Sequence, residues 1–426
     1  MMGFLKRLRR NERGNTLILT AAAMPLLLGS AGLATDTIQW ALWKRQLQKA
    51  ADSAAIAGVY AKMAGQDVST AVNYDLGYGT GTSGGPQSNR TGYALLNAPE
   101  INAAPTTGVP AGSTGAVMVT LQMKQVLPFS SMFSTTPTIT ASATAAGVGA
   151  GDYCVVSLES TSTTGISAGG STKVDLGCGM ITNSTSLNAA IAFGSSSVRA
   201  TPIGAVGGLN TSSNWAPGTT LLPFTLAQPD PFLTLPDPVI PSPCNGKITD
   251  KPGVTTTYPS DDVAVPTTQC VTQFDVQGNM TLRPGTYYVT SDFNVGSQAK
   301  LSCSGCTFIL TNSNANSIPQ IKINGGATVN LSAPDSGTYN SVLFYQDRRA
   351  TNSNGNNING NSSSTYEGAF YFPSQEVQYT GNTGVKFNCV RLVARRVVFS
   401  GNSELGNTCT KYNYDNFQGR HVRLVA

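Results

Sequence analysis

The chain has 426 residues, of which 40% are hydrophobic and only 12% charged, with 45 glycines and a formal net charge of +5. That hydrophobic content excludes a disordered chain, and the length calls for two or more folded units. Part of the positive charge is an N-terminal flank; the pairs Arg348-Arg349 and Arg395-Arg396 stand alone, without the interleaved aromatics of a nucleic-acid surface, so no nucleic-acid partner is expected.

Residues 1–14 form a basic flank with Lys6, Arg7, Arg9, Arg10 and Arg13, opposed only by Glu12. Residues 15–35, NTLILTAAAMPLLLGSAGLAT, carry no charge. As a helix, twenty-one residues at about 1.5 Å each reach roughly 31 Å, enough for a bilayer core of about 30 Å. Pro25 is tolerable in such a segment, because neighbours or a local kink can satisfy the freed carbonyl. Lys44, Arg45 and Lys49 follow the run, so five cations precede it and three follow. This bias predicts a single pass of the inner membrane with a cytoplasmic N-terminus and a periplasmic or surface-exposed body. A cleaved signal peptide is the alternative, since the run has a basic start and small residues at Gly32 and Ala34. Against it, the run is long, and Trp40, Trp43, Leu47, Ala50, Ala54, Ala57 and Ala61 continue a helical period beyond it. Trp40 and Trp43 are predicted interfacial anchors; a helix–helix contact is the other reading.

Arg13-Gly14-Asn15, the apolar run, Gly32-Leu33-Ala34, Asp36 and the block from Trp43 to Gly58, WKRQLQKAADSAAIAG, together resemble the Tad-like N-terminal module of TadE/TadG-like proteins of tight-adherence (Flp) pilus assembly. The resemblance covers about fifty residues. It implies a membrane-anchored structural protein whose partners are other Tad pilus-assembly proteins. Position 19 is Leu, whereas pilin-type processing after Gly14 would want a glutamate there. The helix then continues over 36–65. Residues 66–150 read as a small α+β, pilin-like region. In it, Gly115–Met123 alternates as a strand, Leu127–Phe133 makes a turn or short helix, and Thr138–Val148 makes a second strand.

Beyond residue 150 a template recurs: apolar-x-apolar-x-Gly-x-x-x-apolar. It fits Ile166–Val174, Phe274–Leu282, Phe293–Leu301 (with Ser297 in the glycine slot), Ile321–Val329, Val377–Val385 and Val397–Leu405. Alternation turns one strand face inward, and the small residue permits a tight corner through positive φ. One coil cannot bury its inner face alone, so coils stack. A right-handed parallel β-helix is predicted, with an ordinary β-sandwich as the alternative. Gly325–Val329, Leu282–Tyr288 and Val342–Arg348 also resemble the β-helical region attached to some TadG-like proteins, whereas the Asp-x-Ser-x-Ser metal pattern of other members is missing. The fold class is therefore mainly β with an N-terminal α-helical anchor: a long transmembrane helix, a small α+β region, then the β-helix. Its first coils occupy 151–209 and its main coils 271–426. Between them, 210–270 hold eleven of the 23 prolines and read as a linker or insertion. Residues 351–364 read as a polar loop.

Eight cysteines in a non-cytoplasmic body are candidate disulfide partners: Cys154, Cys178, Cys244, Cys270, Cys303, Cys306, Cys389 and Cys409. Spacing leaves their pairing open, although a Cys244–Cys270 bridge would pin the proline-rich segment. Cys303-Ser-Gly-Cys306 lies between strand runs and so reads as a structural turn rather than a redox motif at a helix N-terminus. No metal set, cofactor or catalytic residue is predicted. His421 is the lone histidine and has no partner motif. β-helices that act on polysaccharides use two carboxylates. Asp335, Asp347, Glu367, Glu376 and Glu404 are candidates without paired spacing, and Asp347-Arg348 reads as a turn salt bridge or a solvated corner. A tethered saccharide-binding or saccharide-cleaving protein is the alternative function.

Overall fold

The chain's apolar start is continuous with its first packed element in one 52-residue helix, Glu12–Met63, about 78 Å long. The computed structural model describes residues 12–79, 94–132, 136–260, 263–351, 354–359, 361–381, 385–401, 404–407 and 417–426. Two units result, one of residues 1–148 with 422–426 and one of residues 149–421.

In the first unit the helix changes character along its length. Leu19, Met24, Leu26, Leu27 and Leu28 are each at least 63% exposed, and Pro25 does not end the helix. Farther on, Leu47, Ala50, Ala51, Ala54, Ala55 and Val59 are buried at three- and four-residue steps, one stripe of an amphipathic helix. The stripe packs on an antiparallel sheet in which Thr114–Lys124 lies between Glu100–Asn102 and Thr138–Ser157. Val117, Val119, Leu121 and Met123 face Ala145, Ala143, Ala141 and Ile139 across that sheet, largely a large residue opposite a small one. Small helix residues allow a close approach: a Cβ at Gly58 would come within 2.9 Å of Val117 Cγ1. A second helix, Val68–Leu76, adds Val72 and Leu76 to this core. Asp67 caps it by accepting the Thr70 N–H at 2.7 Å, and Gly77 ends it at φ 67°. The chain's last residues return here, where Thr144 N–H donates to Ala426 O at 2.6 Å and Val425 N–H to Thr144 O at 2.8 Å.

The second unit is built of parallel strands in three columns. Inward residues of the first column follow the order Ile248, Phe274, Phe293 and Ile321, then Val377, Val397, Ile166 and Ala190. The second column includes Met280, Leu301 and Val329, and later Val174 and Val198. The third runs Gln269, Tyr287, Phe308, Phe344, Phe370, Leu392, Val155, Met180, Ile203 and Leu221. Parallel pairing throughout these columns rules out an antiparallel sandwich. Like residues stack between rungs. Phe274 and Phe293 lie with ring centroids 3.9 Å apart, and Tyr287, Phe308, Phe344 and Phe370 continue at 5.6, 5.3 and 5.1 Å.

Each of the six sequence templates spans one corner, from the first column to the second. A seventh, Ala190–Val198, completes the set. At three corners glycines stack on one another. Gly170 and Gly194 both have φ 71°, and a Cβ would lie 3.1 Å from Gly401 O in the first case and 3.0 Å from Gly170 O in the second. Gly278 and Gly325 do not turn through positive φ as expected. Gly278 answers a different need, since a side chain there would meet the Lys251 and Val254 carbonyls.

Stack order is not chain order. Strand Val385–Gly401 pairs in parallel with both Thr138–Ser157 and Ile166–Ala168, so the coils of 151–222 sit beyond those of 246–407. The chain must therefore travel from Leu222 at one end back to Gly246 at the other. Nine rung spacings of about 4.8 Å come to about 43 Å, well within the reach of that stretch. Its prolines lack N–H donors and keep it out of the ladder. Strands Leu221–Leu222, Gly246–Thr249, Thr255–Tyr258 and the start of Thr267–Val276 all lie in the segment expected as a linker or insertion. Residues 354–358, expected as loop, pair with Ile321–Ile323 and with Thr365–Gly381.

Truncating Phe293 to Ala removes a fully buried ring from between Phe274 and Phe308, and should cost about 3–5 kcal/mol in chemical unfolding of the full chain. Leu187→Ala, at an exposed side chain, should leave the midpoint within about 0.5 kcal/mol.

Candidate functional site

The body-facing stripe of the long helix begins before the helix has left its apolar segment. Gly32 and Asp36 are buried, Trp43 is half-buried against the core, and Leu47 and Ala50 follow. These positions recur at helical spacing on one side. Asp36 is 1% exposed, and its Oδ2 accepts the Phe129 N–H at 3.0 Å and also the Ser130 N–H. Those donors open the 3-10 turn Ser130–Met132, within the stretch read as a turn or short helix. A carboxylate that accepts backbone N–H groups replaces water with fixed dipoles, which makes its burial tolerable. Trp40 lies on another side of the helix, 41% exposed. The two tryptophans are therefore not equivalent: Trp40 is free for an interface, whereas position 43 falls on the stripe of Asp36 and Leu47 and its ring is drawn to the protein.

The cysteines act as staples between coils. Cys154–Cys178 joins adjacent rungs of the third column, with Cα atoms 5.8 Å apart. Cys244–Cys270 fastens the end of the proline-rich segment to the first coil. Cys303–Cys306 closes its own corner around Gly305, at φ 79°, and both sulfurs lie near Arg283 O. Cys389 is also disulfide-bonded, and Cys409 lies outside the described residues. A bridged turn between strands is the chemistry of a clamp, not of an exposed thiolate.

Both arginine pairs, isolated in sequence, are committed in the fold. Arg348 is held between the rings of Tyr345 and Tyr371, and it donates to Tyr371 Oη, Phe232 O, Leu235 O and Asp237. Tyr371 Oη in turn donates to Asp230 at 2.7 Å. One guanidinium thus straps the proline-rich segment onto the outer face of the third column. Asp347 does not pair with Arg348, as the sequence suggested. It is buried, accepts from Thr311 Oγ1 and is held by the Arg349 guanidinium at 2.7 Å. The next side chain along the turn points the other way, toward the strap. Arg395 and Arg396 meet buried Glu159 at 3.0 and 4.0 Å, and Arg396 also reaches Glu376 at 3.4 Å. This cluster sits on the seam where the last coils of the chain receive the first. Glu159 carried no motif in sequence, and only the inverted stacking brings it to residue 395.

Burial pushes the Glu159 carboxyl up, but hydrogen bonds from Thr161 and the charge of Arg395 outweigh it, so the group titrates below its ordinary 4.5. Asp347 follows the same pattern: burial raises it, and Arg349 and Thr311 bring it below 3.8.

A groove on the outer face of the second column is lined by Thr281, Ser302, Asn330, Ser332 and Thr365, and among the described residues Glu367 is its one carboxylate and no aromatic ring lines it. Of the other carboxylates singled out, Glu376 and Asp347 are spent on arginines, Asp335 is exposed, and the Glu404 side chain is outside the described residues. His421 is half-buried on strand Phe417–Leu424. Among the described residues no three His, Cys, Asp or Glu side chains converge on a metal position.

Residues 14–65 match the family model for Tad, Flp pilus-assembly TadE/G-like. The match begins at Gly14-Asn15 and covers the apolar run and the KRQLQKAADSAAIAG block. No curated protein and no solved structure matches the chain.

Two outcomes follow from the ion clusters. Glu159 and Asp347 have depressed pKa values in the fold, so their stabilisation is complete above the ordinary carboxylate range and lost as pH falls through the folded values, below 4.5 and 3.8. Urea midpoints should therefore drop on acidification below about pH 4.5, and Glu159→Gln should flatten that drop. Arg348→Ala should release the strap, at a cost of about 2–3 kcal/mol, and give new proteolytic cuts within residues 226–243.

Proposed function

We propose that the chain is a single-pass inner-membrane protein, with a cytoplasmic N-terminus and a periplasmic or surface-exposed body, which serves Flp (tight-adherence) pilus assembly and surface adherence as a structural, non-catalytic component. The observation that carries this reading is the Tad match at 14–65, laid on a helix long and apolar enough to cross a bilayer. The remaining helix is gripped by a sheet over alanine and glycine contacts. Within the first unit, a pull on the packed part of the helix therefore reaches the apolar segment along one unbroken helix. Disulfide-paired cysteines in the body support a compartment outside the cytoplasm.

In this reading the three columns wind as a right-handed parallel β-helix, the hand that parallel crossovers overwhelmingly take. Its stacked apolar interior, disulfide staples and strapped outer face suit a rigid shaft. Other Tad assembly proteins are the partners. The groove with Glu367 is a feature that would favour a surface saccharide instead. Its single carboxylate and lack of aromatic rings support a scaffold over a glycosidase, which needs two carboxylates about 5–10 Å apart.

Deleting the gene in its host should reduce piliation and surface adherence, scored by electron microscopy and a binding assay, and the full chain should restore both. Glu367→Gln should restore them as well as the unaltered chain does. Wild-type piliation in the deletion strain would exclude the pilus role. Failure of Glu367→Gln to rescue adherence would favour the saccharide reading.

A further inference from the structure

Phe129 and its neighbours occupy an unusual place for a loop of a water-facing body. The Phe129 ring lies against the long helix at Gly32, where any Cβ would overlap it. Gly32 is three residues inside the end of the apolar run at 35, about 4.5 Å along the helix axis. The ring is therefore level with the run rather than above it. Asp36, one turn farther on, fixes this placement by accepting the Phe129 and Ser130 N–H groups.

The surface around the ring is apolar and open. Val126 is 65% exposed and Phe129 is 41% exposed, and Pro128 is exposed between them. On the helix itself Leu33, Ile38, Trp40 and Leu42 are also exposed. No charged residue occurs between Lys124 and Asp152. An uncharged loop with exposed Val, Pro and Phe, pinned level with a membrane segment, has the chemistry of an interfacial anchor.

We propose that the loop Val126–Ser131 inserts into the interfacial layer of the same bilayer as the long helix, forming a second contact with lipid that sets the rotation and tilt of the first unit. The proposal rests on the helix being a membrane span, and its occupant is phospholipid because the patch is continuous with the apolar segment. Asp36 has its part in this arrangement. A carboxylate at the edge of the hydrocarbon must be shielded, and the loop that shields it is the loop that enters the lipid. Gly32 is needed because only a residue without a side chain lets an aromatic ring reach the helix backbone at that depth.

The test uses the full chain reconstituted in phosphatidylcholine–phosphatidylglycerol vesicles, with one added cysteine labelled by an environment-sensitive fluorophore at Val126→Cys, Leu27→Cys or Tyr74→Cys. Leu27 lies within the span, and Tyr74 is 79% exposed on the second helix of the same unit. Lipids carrying a shallow nitroxide should quench the label at 126 several-fold more than the label at 74, and aqueous iodide should show the reverse order. If 27 is quenched by lipid while 126 responds only to iodide, the loop is in water and the proposal fails with the span intact. If 126 is shielded from both quenchers, a neighbouring protein chain covers it, and the proposal again fails. If 27 itself is not quenched by lipid, the span is wrong and the loop contact falls with it. Gly32→Val should displace the ring and lower lipid quenching at 126 without changing it at 27.

Discussion

The second unit depends on one seam. Strand Val385–Gly401 forms parallel hydrogen bonds with strands whose residues lie some 230 positions earlier, Leu392 with Val155 and Val397 with Ile166. Coils on either side cannot bury their inner faces alone, because an isolated coil exposes both its edges and its apolar interior. Across the seam the inward residues continue without a change of period, and Glu159 with Arg395 and Arg396 adds a charged clasp beside it. Buried charges are stable only when paired and hydrogen-bonded, and each partner here comes from a different part of the chain. The clasp thus contributes to register as well as to energy.

The inverted order explains the proline-rich stretch. A chain that ends one set of coils at Leu222 and starts the next at the opposite end of the stack needs a return path that does not compete for ladder hydrogen bonds. Proline supplies one by removing donors. The path is fixed at its far end by Cys244–Cys270 and midway by Arg348, whose five donors suit several carbonyls and a carboxylate at once. Outer residues of the third column, Tyr345, Tyr371 and Ile309 among them, are covered as a result. That explains why a column so rich in aromatic residues on both faces does not present them to solvent.

Much of this was legible in the sequence, and the rest was hidden for definable reasons. The helix, its apolar run and its alanine stripe are short-range patterns with period 3.6, and they appear where expected. The corner template works because it reports a local shape, the turn from first to second column. It also fits Ala190–Val198, where alanines fill both apolar slots before the glycine and weaken the signal. The third column escaped it, since strands such as Cys306–Leu310 and Val342–Gln346 are buried on both faces and show no alternation. The Asn354–Ile358 strand was unreadable because Asn and Gly fill it up to Ile358, and its place is set by neighbours and by the buried Asn356–Gln375 contact at 2.9 Å. Stack order and the partners of Glu159 and Arg348 are long-range facts that no window of sequence contains. The roles of Gly32 and Asp36 lie between these cases: both stood inside the recognised Tad-like block, but their purpose required Phe129, ninety-odd residues away.

The seam also carries a temporal meaning. A polypeptide that emerges N-terminus first delivers residues 151–222 well before strand Val385–Gly401, the template on which they rest, exists. Those early coils must wait, unprotected, until strand Val385–Gly401 has been made. Completion of the body is consequently a check on completeness of the polypeptide: a product that stops short leaves raw strand edges and unfinished cysteine pairs for proteases to find, and only the finished molecule conceals them.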